Sequence, residues 1–151
     1  RVELSQRVDE HVGGDARGAA LRRCGGRSGD SGHRSSASLS FVVFAVRPLL
    51  KGLAVADVGS GAGFPGLPLA IADTDRRFAL VESTGKKARF LRHVVARLDL
   101  PNVEVVPLRA ESYKPPRPFD SVIARALGPL AEFVRVAGHL AGRGGRLLAS
   151  F

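Results

Sequence analysis

The stretch Val55-Ala56-Asp57-Val58-Gly59-Ser60-Gly61-Ala62-Gly63-Phe64-Pro65-Gly66 decides how this chain is read. A short apolar run holding one acid passes straight into a glycine-rich turn. Such a turn supplies dihedrals that side-chained residues avoid and lets the backbone approach a ligand closely. It points to a small-molecule site at the carboxyl end of a strand. Gly59, Gly61 and Gly63 lie two residues apart. The dinucleotide fingerprint instead puts its third glycine three after the second. No Lys-Ser or Lys-Thr pair follows, so a nucleoside-triphosphate phosphate cradle is disfavoured as well. The plainer reading, a tight strand-to-helix connection, stays open.

Working outward, the pattern is regular from residue 39 onward. Residues 39–50 read as an apolar helix or buried strand limited by Pro48, and 53–58 as a strand. A helix over 65–72 follows the glycine turn, and a second strand over 78–81 ends at Glu82. Residues 86–98 give the clearest helix. Phe90, Leu91, Val94, Val95 and Leu98 follow helical spacing, while Lys86, Lys87, Arg89, Arg92 and Arg97 form its polar surface. Ser83 or Thr84 is placed to cap it. Strands are predicted at 103–106 and 121–124, and Leu130, Phe133, Val134, Ala137 and Leu140 mark another helix that Gly142 is suited to end. A fifth strand begins at Arg146. The alternation predicts an α/β fold with an open, mostly parallel, Rossmann-like sheet that stops after the fifth strand.

Residues 1–38 differ, with seven glycines and a polar run over 27–38. Leu4, Val8 and Val12 allow a short helix over 2–12, and nothing else there has the pattern of a stable element. Two segments are therefore expected: an irregular or weakly helical 1–38 and a core over 39–151.

One hundred and fifty-one residues suffice for one domain with a real core. The chain has 23 Lys and Arg against 14 Asp and Glu, a net charge of +9. Only +2 of this falls in residues 1–38, so the basicity belongs mainly to the organised part. It favours a polyanionic partner, although a solvated basic surface gives the same total. The single cysteine, Cys24, excludes an internal disulfide framework and a cysteine-rich metal site. His11, His33, His93 and His139 are scattered without ligand spacing, so no metal is expected. No apolar run reaches membrane-span length and no secretory signal opens the chain. The expectation is a cytoplasmic, reduced protein. One tyrosine, no tryptophan and eight phenylalanines argue against a broad base-stacking platform.

Several side chains are placed to carry chemistry. Glu82 ends the second strand beside the first loop, and its two acceptor oxygens suit the paired hydroxyls of a ribose. Alternatively it complements the following helix N-terminus. Asp57 supports the glycine loop or contacts a cofactor's charged end, unless it is a simple strand-end acid. Ala110 and Glu111 follow the third strand and are positioned to frame an adenine. Asp120 reads as a turn or strand-start residue. Arg109, Lys114, Arg117 and Arg125 are expected to make the carboxyl edge positive, with Arg125 where a substrate would approach. They suit phosphate positioning more than base reading; a solvated basic rim is the rival.

The run Ala56–Ala70, with prolines set around the glycines, resembles motif I of the RsmG family, also called GidB. The resemblance continues through Glu82-Ser83-Thr84-Gly85-Lys86-Lys87-Ala88-Arg89-Phe90-Leu91, Arg109-Ala110-Glu111 and Phe119-Asp120-Ser121-Val122-Ile123-Ala124-Arg125-Ala126. It covers residues 47–149. It implies a Rossmann-like fold and an S-adenosylmethionine-dependent enzyme that methylates N7 of a guanosine in 16S ribosomal RNA. Asp57, Gly59, Ser60, Gly61, Gly63, Phe64, Glu82, Ala110, Glu111 and Arg125 would then bind cofactor, with Gly59–Gly63 on its methionine part. Arg109 and Arg125 would serve RNA binding or activity, and the partner would be 16S ribosomal RNA or the small subunit, met by a monomer. Family members usually carry an Arg-His pair and an Asp-Ser pair before motif I; the places around Ser38-Leu39 and Val42-Val43 have neither. The family also continues past the fifth strand with a lysine-glycine element and two more strands. The other expectation is accordingly a truncated, inactive module that keeps the fold and binds cofactor or RNA.

Overall fold

The computed structural model describes residues 3–5, 45–125 and 128–150. Among these, six strands form one sheet: β1 (Glu3–Ser5), β2 (Ala54–Val58), β3 (Arg77–Val81), β4 (Val103–Val106), β5 (Phe119–Arg125) and β6 (Ala141–Ser150). Helices α1 (Gly66–Ala72), α2 (Gly85–Arg97) and α3 (Leu130–Ala137) connect them. The strand order is β1-β6-β5-β2-β3-β4, and every neighbouring pair is parallel. From β2 the chain builds outward to β3 and β4, then returns to place β5 and β6 on β2's other side. The direction of winding therefore reverses between β2 and β5, where an open α/β sheet leaves a crevice at its carboxyl ends.

A central parallel strand is covered on both faces and so reads as nearly continuous apolar sequence. In β2, Val55, Ala56, Asp57 and Val58 are all buried. Val55 packs with Phe78, Ile123, Leu148, Leu69 and Ala70 on the α1 side. Ala56 and Val58 face the other way, with Ala79, Val81, Val122 and Ala124 against Phe133, Val136 and Ala137 of α3. Leu91 of α2 closes on Leu67 and Leu80. Burying each such leucine or phenylalanine contributes about 1.5–3 kcal/mol.

The five expected strands and the three helices after the first strand are present, with four differences. Residues 45–46 are helical and lead into a 3-10 turn, Arg47–Leu49, whose proline sits in its first turn; 39–44 lie outside the described residues. The stripe expected over 130–140 is helical only to Ala137, and Gly138–Leu140 tighten into a 3-10 turn. Gly142 does not end that helix; it lies within β6, which begins at Ala141 rather than Arg146. Residues 3–5 form a strand beside β6 where a helix over 2–12 was expected, and the rest of that span is outside the described residues.

Candidate functional site

Three segments meet at the carboxyl ends of β2 and β3: the glycine turn, the residues after Val81, and a 3-10 turn, Ala110–Ser112, after β4. They border a cleft of about 210 Å³ lined by Gly59, Glu82, Arg109, Ala110, Glu111 and Glu132, among others. The glycine turn is anchored to β3, because the Gly59 and Ser60 N–H groups donate to the Val81 carbonyl at 2.9 and 3.3 Å. Gly59 and Gly61 have φ of +71° and +58°, left-handed values that a Cβ opposes.

Glu82 ties the site together. It is only 6% exposed. Its Oε2 accepts the Gly61 N–H at 2.9 Å, and its Oε1 accepts the Thr84 N–H at 2.7 Å. Burial by itself raises its pKa, but the Thr84 and Gly61 donors and the nearby Lys87 charge outweigh that and hold it below the ordinary value. The carboxylate is thus ionised, and each oxygen retains acceptor capacity beyond its one backbone bond. The start of α2 has no side-chain cap from Thr84. Glu82 takes the Thr84 N–H instead, which agrees with its reading as an acid that complements the helix N-terminus.

Asp57 lies beneath the turn, fully buried. Its Oδ2 accepts the Gly66 N–H at 3.0 Å, while its Oδ1 has no hydrogen-bond partner. Burial is the main cause that pushes its pKa up to about 7, opposed by the Gly66 donor and the Arg125 charge. The Ser60 hydroxyl donates to the Asp57 carbonyl at 2.8 Å, and the Gly63 N–H donates to the Ser60 carbonyl at 2.7 Å. A Cβ on Gly66 would stand 2.4 Å from Leu80 and 2.6 Å from Asp57, and one on Gly63 would stand 2.2 Å from Leu67. These glycines are needed where α1 packs on the sheet, whereas a Cβ on Gly61 would meet only the Gly59 carbonyl at 3.8 Å.

Of the ten residues expected at the cofactor, Gly59, Glu82, Ala110 and Glu111 line the cleft itself. Gly61 joins through Glu82; Asp57, Ser60 and Gly63 lie behind the wall as its support. Arg125, exposed at the end of β5, places its guanidinium 5.8 Å from the Phe64 ring centroid, across the β2/β5 crevice. The positive edge expected from four basic residues divides in two. Arg109 is in the cleft, but Arg117 lines a groove of about 590 Å³ with Ala54, Arg77 and Phe119, at the amino-terminal ends of the strands. Lys114 lies between Tyr113 and Pro115 of that same groove. The connection from β4 to β5 runs back down the sheet and carries these residues away. Asp120 accepts the Leu53 and Ala54 N–H groups, which fits its strand-start reading.

Glu132 and Val136, one turn apart on α3, also line the cleft. Neither belongs to the apolar stripe that predicted this helix; their position depends on α3 packing against the Ala110–Ser112 turn, a tertiary contact without a local signal. Among the described residues no cluster of His, Cys, Asp or Glu could hold a metal ion. Nor is any helix there long and apolar enough to cross a membrane.

A parallel sheet with this strand order and a glycine turn after its central strand is a Rossmann-like fold, and solved methyltransferases share it. Coclaurine N-methyltransferase, in its complex with N-methylheliamine and SAH, superposes with a TM-score of 0.66 at 20% identity, over 81% of this chain and 38% of that one. The precorrin-6y C5,15-methyltransferase of Geobacter metallireducens gives 0.60 at 17% identity, over 81% and 66%. The family model GidB, rRNA small subunit methyltransferase G, matches residues 38–150. The chain belongs to this family. It is 43% identical over 109 residues to the ribosomal RNA small subunit methyltransferase G of Legionella pneumophila, covering 72% of this chain and 52% of that protein. For the Nitrosospira multiformis protein of the same name the identity is 48% over 112 residues, covering 70% and 52%. The chain spans about half the length of the curated relatives it matches.

Proposed function

We propose that the protein transfers a methyl group from S-adenosylmethionine to N7 of a guanosine in 16S ribosomal RNA, as a monomer in the cytoplasm. Family membership supports the reaction class. The observation that carries the cofactor assignment is Glu82, an ionised and nearly buried carboxylate spanning Gly61 and Thr84 with acceptor capacity left over. In this reading Glu82 takes the ribose hydroxyls, and Ala110 and Glu111 frame the adenine. Gly59 and Gly61 border the methionine portion, on a turn held by Asp57, Ser60, Gly63 and Phe64.

When bound, S-adenosylmethionine supplies an electrophilic methyl on its sulfonium. Guanine N7 has a free lone pair and no proton to lose, so the chain need not provide a general base. Its contribution is orientation and electrostatics. Arg125 positions the target nucleotide or its phosphate beside the crevice, and Arg109 assists from the cleft wall. The target base must come from an accessible loop or leave its stack.

The test is calorimetric titration with S-adenosylmethionine, followed by methyl transfer to undermodified small ribosomal subunits. Arg125→Ala is expected to slow transfer on the order of 100-fold, the scale of a misplaced substrate, while cofactor affinity changes little. Equal loss of both removes the role assigned to Arg125. Cofactor binding by the unaltered chain without any transfer assigns it as a binding module.

A further inference from the structure

Helix α2 carries five basic residues, Lys86, Lys87, Arg89, Arg92 and Arg97, and no acid in its thirteen residues. That is a larger local charge than folding requires, because the helix is held by Ala88 and Leu91 on its buried face. At 3.6 residues per turn, Lys86, Phe90, His93 and Arg97 fall in one row opposite that face, with Arg89 beside it. All five are exposed. Among the described residues Lys86, Arg89, Arg92 and Arg97 make no ion pair. In the middle of the row Phe90 is 51% exposed, which a merely solvated face does not call for. Helices α1 and α3 differ: α1 has no charged residue, and α3 has Glu132 paired with Arg135.

The row also has a direction. It starts at Lys86, four residues after Glu82, and runs away from the cleft for about 16 Å at 1.5 Å per residue. We infer that this outer face of α2 is a docking surface for the phosphate backbone of the RNA substrate, aligned so that bound RNA leads toward the cofactor cleft. The inference rests on the RNA-methyltransferase reading above and adds a surface to it. Unpaired lysines and arginines at regular intervals complement a polyanion, and each phosphate contact releases condensed counterions. The contacts set register and orientation and carry no sequence information.

The salt dependence of binding tests this directly. Binding of an unmodified 16S ribosomal RNA transcript is measured across a series of KCl concentrations, for the unaltered chain and for the triple variant Lys86→Gln, Arg89→Gln, Arg97→Gln. The triple variant is expected to lower the slope of log K against log[KCl] by about 2–3 and to weaken binding about 100-fold or more at 0.1 M salt. Affinity for S-adenosylmethionine stays within about twofold, since none of the three lines the cleft. The single Arg89→Gln, a mild exposed change, lowers the slope by about 0.7–0.9. Arg117→Gln, in the groove at the opposite edge, leaves it unaltered. A slope that stays the same in both α2 variants, or no RNA binding by the unaltered chain, overturns the docking surface. A slope that falls as expected in a chain that never transfers methyl upholds the surface and overturns the catalytic reading alone.

Discussion

At both ends of its parallel sheet this protein uses a carboxylate to gather two backbone N–H groups, and it does so differently. At the amino-terminal end, Asp120 Oδ2 accepts both the Leu53 and Ala54 N–H groups, at 2.9 and 3.0 Å, in an exposed setting. Beside it the Ser121 hydroxyl accepts the Lys51 N–H and donates to the Lys51 carbonyl. The segment leading into β2 is thereby clamped to β5. At the carboxyl end, Glu82 divides its two bonds between its oxygens and is nearly buried at the wall of a cleft. Below it Asp57 spends one oxygen on Gly66 and leaves the other unpaired. One end fixes a strand with a single acid that water can reach. The other holds two nearly buried acids, Glu82 at the cleft wall and Asp57 beneath it with one oxygen unpaired.

The largest difference between the ends is expected in the pH dependence of stability. Asp57 has a pKa pushed up to about 7 in the fold, against 3.8 as its ordinary value. Between those values the unfolded chain has lost the proton and the folded chain keeps it, so stability falls as pH rises from about 4 through 7 and then levels. At about 1.36 kcal/mol per unit the change attributable to Asp57 is of order 4 kcal/mol. Urea unfolding at intervals from pH 4 to 8 should show it in the difference between the unaltered chain and Asp57→Asn, which keeps an acceptor for Gly66 without the titration. Parallel curves for the two would mean that Asp57 does not bear the cost of its burial.

Glu82→Ala comes next. It leaves the Gly61 and Thr84 N–H groups without their charged acceptor, at about 1.5–3 kcal/mol for each such bond. It also removes the acceptor assigned to the ribose. Calorimetry should show S-adenosylmethionine binding weakened about 100-fold or more, with Glu82→Gln intermediate because its amide keeps one acceptor oxygen. Undiminished affinity would confine Glu82 to holding the turn.

Local sequence carried much of this architecture because the central strands are apolar on both faces and each ends at a punctuating residue. Val55–Val58 and Phe78–Val81 could be read without knowing what covers them. Glu82 was legible as a strand-end acid beside the glycine turn. That it grips Gly61 and Thr84 at once was not, since the link spans two elements. The start of β6 was hidden by Gly142, Gly144 and Gly145, which look like a loop. In the fold they permit a register shift against Phe119 and Ser121, with a Cβ on Gly145 3.0–3.2 Å from three backbone carbonyls. Arg117 was assigned to the wrong end because sequence distance from β4 does not tell which way a connection runs. The β1 pairing to β6 joins residues over 140 positions apart, beyond any local pattern.

Asp120→Ala sets the small end of the scale and tests whether the two poles act separately. Its two backbone donors are exposed, so water replaces the carboxylate, and the expected loss is about 1–2 kcal/mol. Gly52 adds to the argument. Its φ of +64° turns the chain tightly against the Asp120 side chain, where any Cβ would overlap the carboxylate, so the acid and the glycine form one turn. Without Asp120 this turn loosens while Ser121 still holds Lys51, which keeps β2 in register with β5. The urea midpoint should therefore fall modestly, and affinity for S-adenosylmethionine should match that of the unaltered chain once measured on folded protein. A drop in affinity comparable to that of Glu82→Ala would show instead that strain at the start of β2 passes along its five residues to the glycine turn, and that the clamp at the amino end is part of the site.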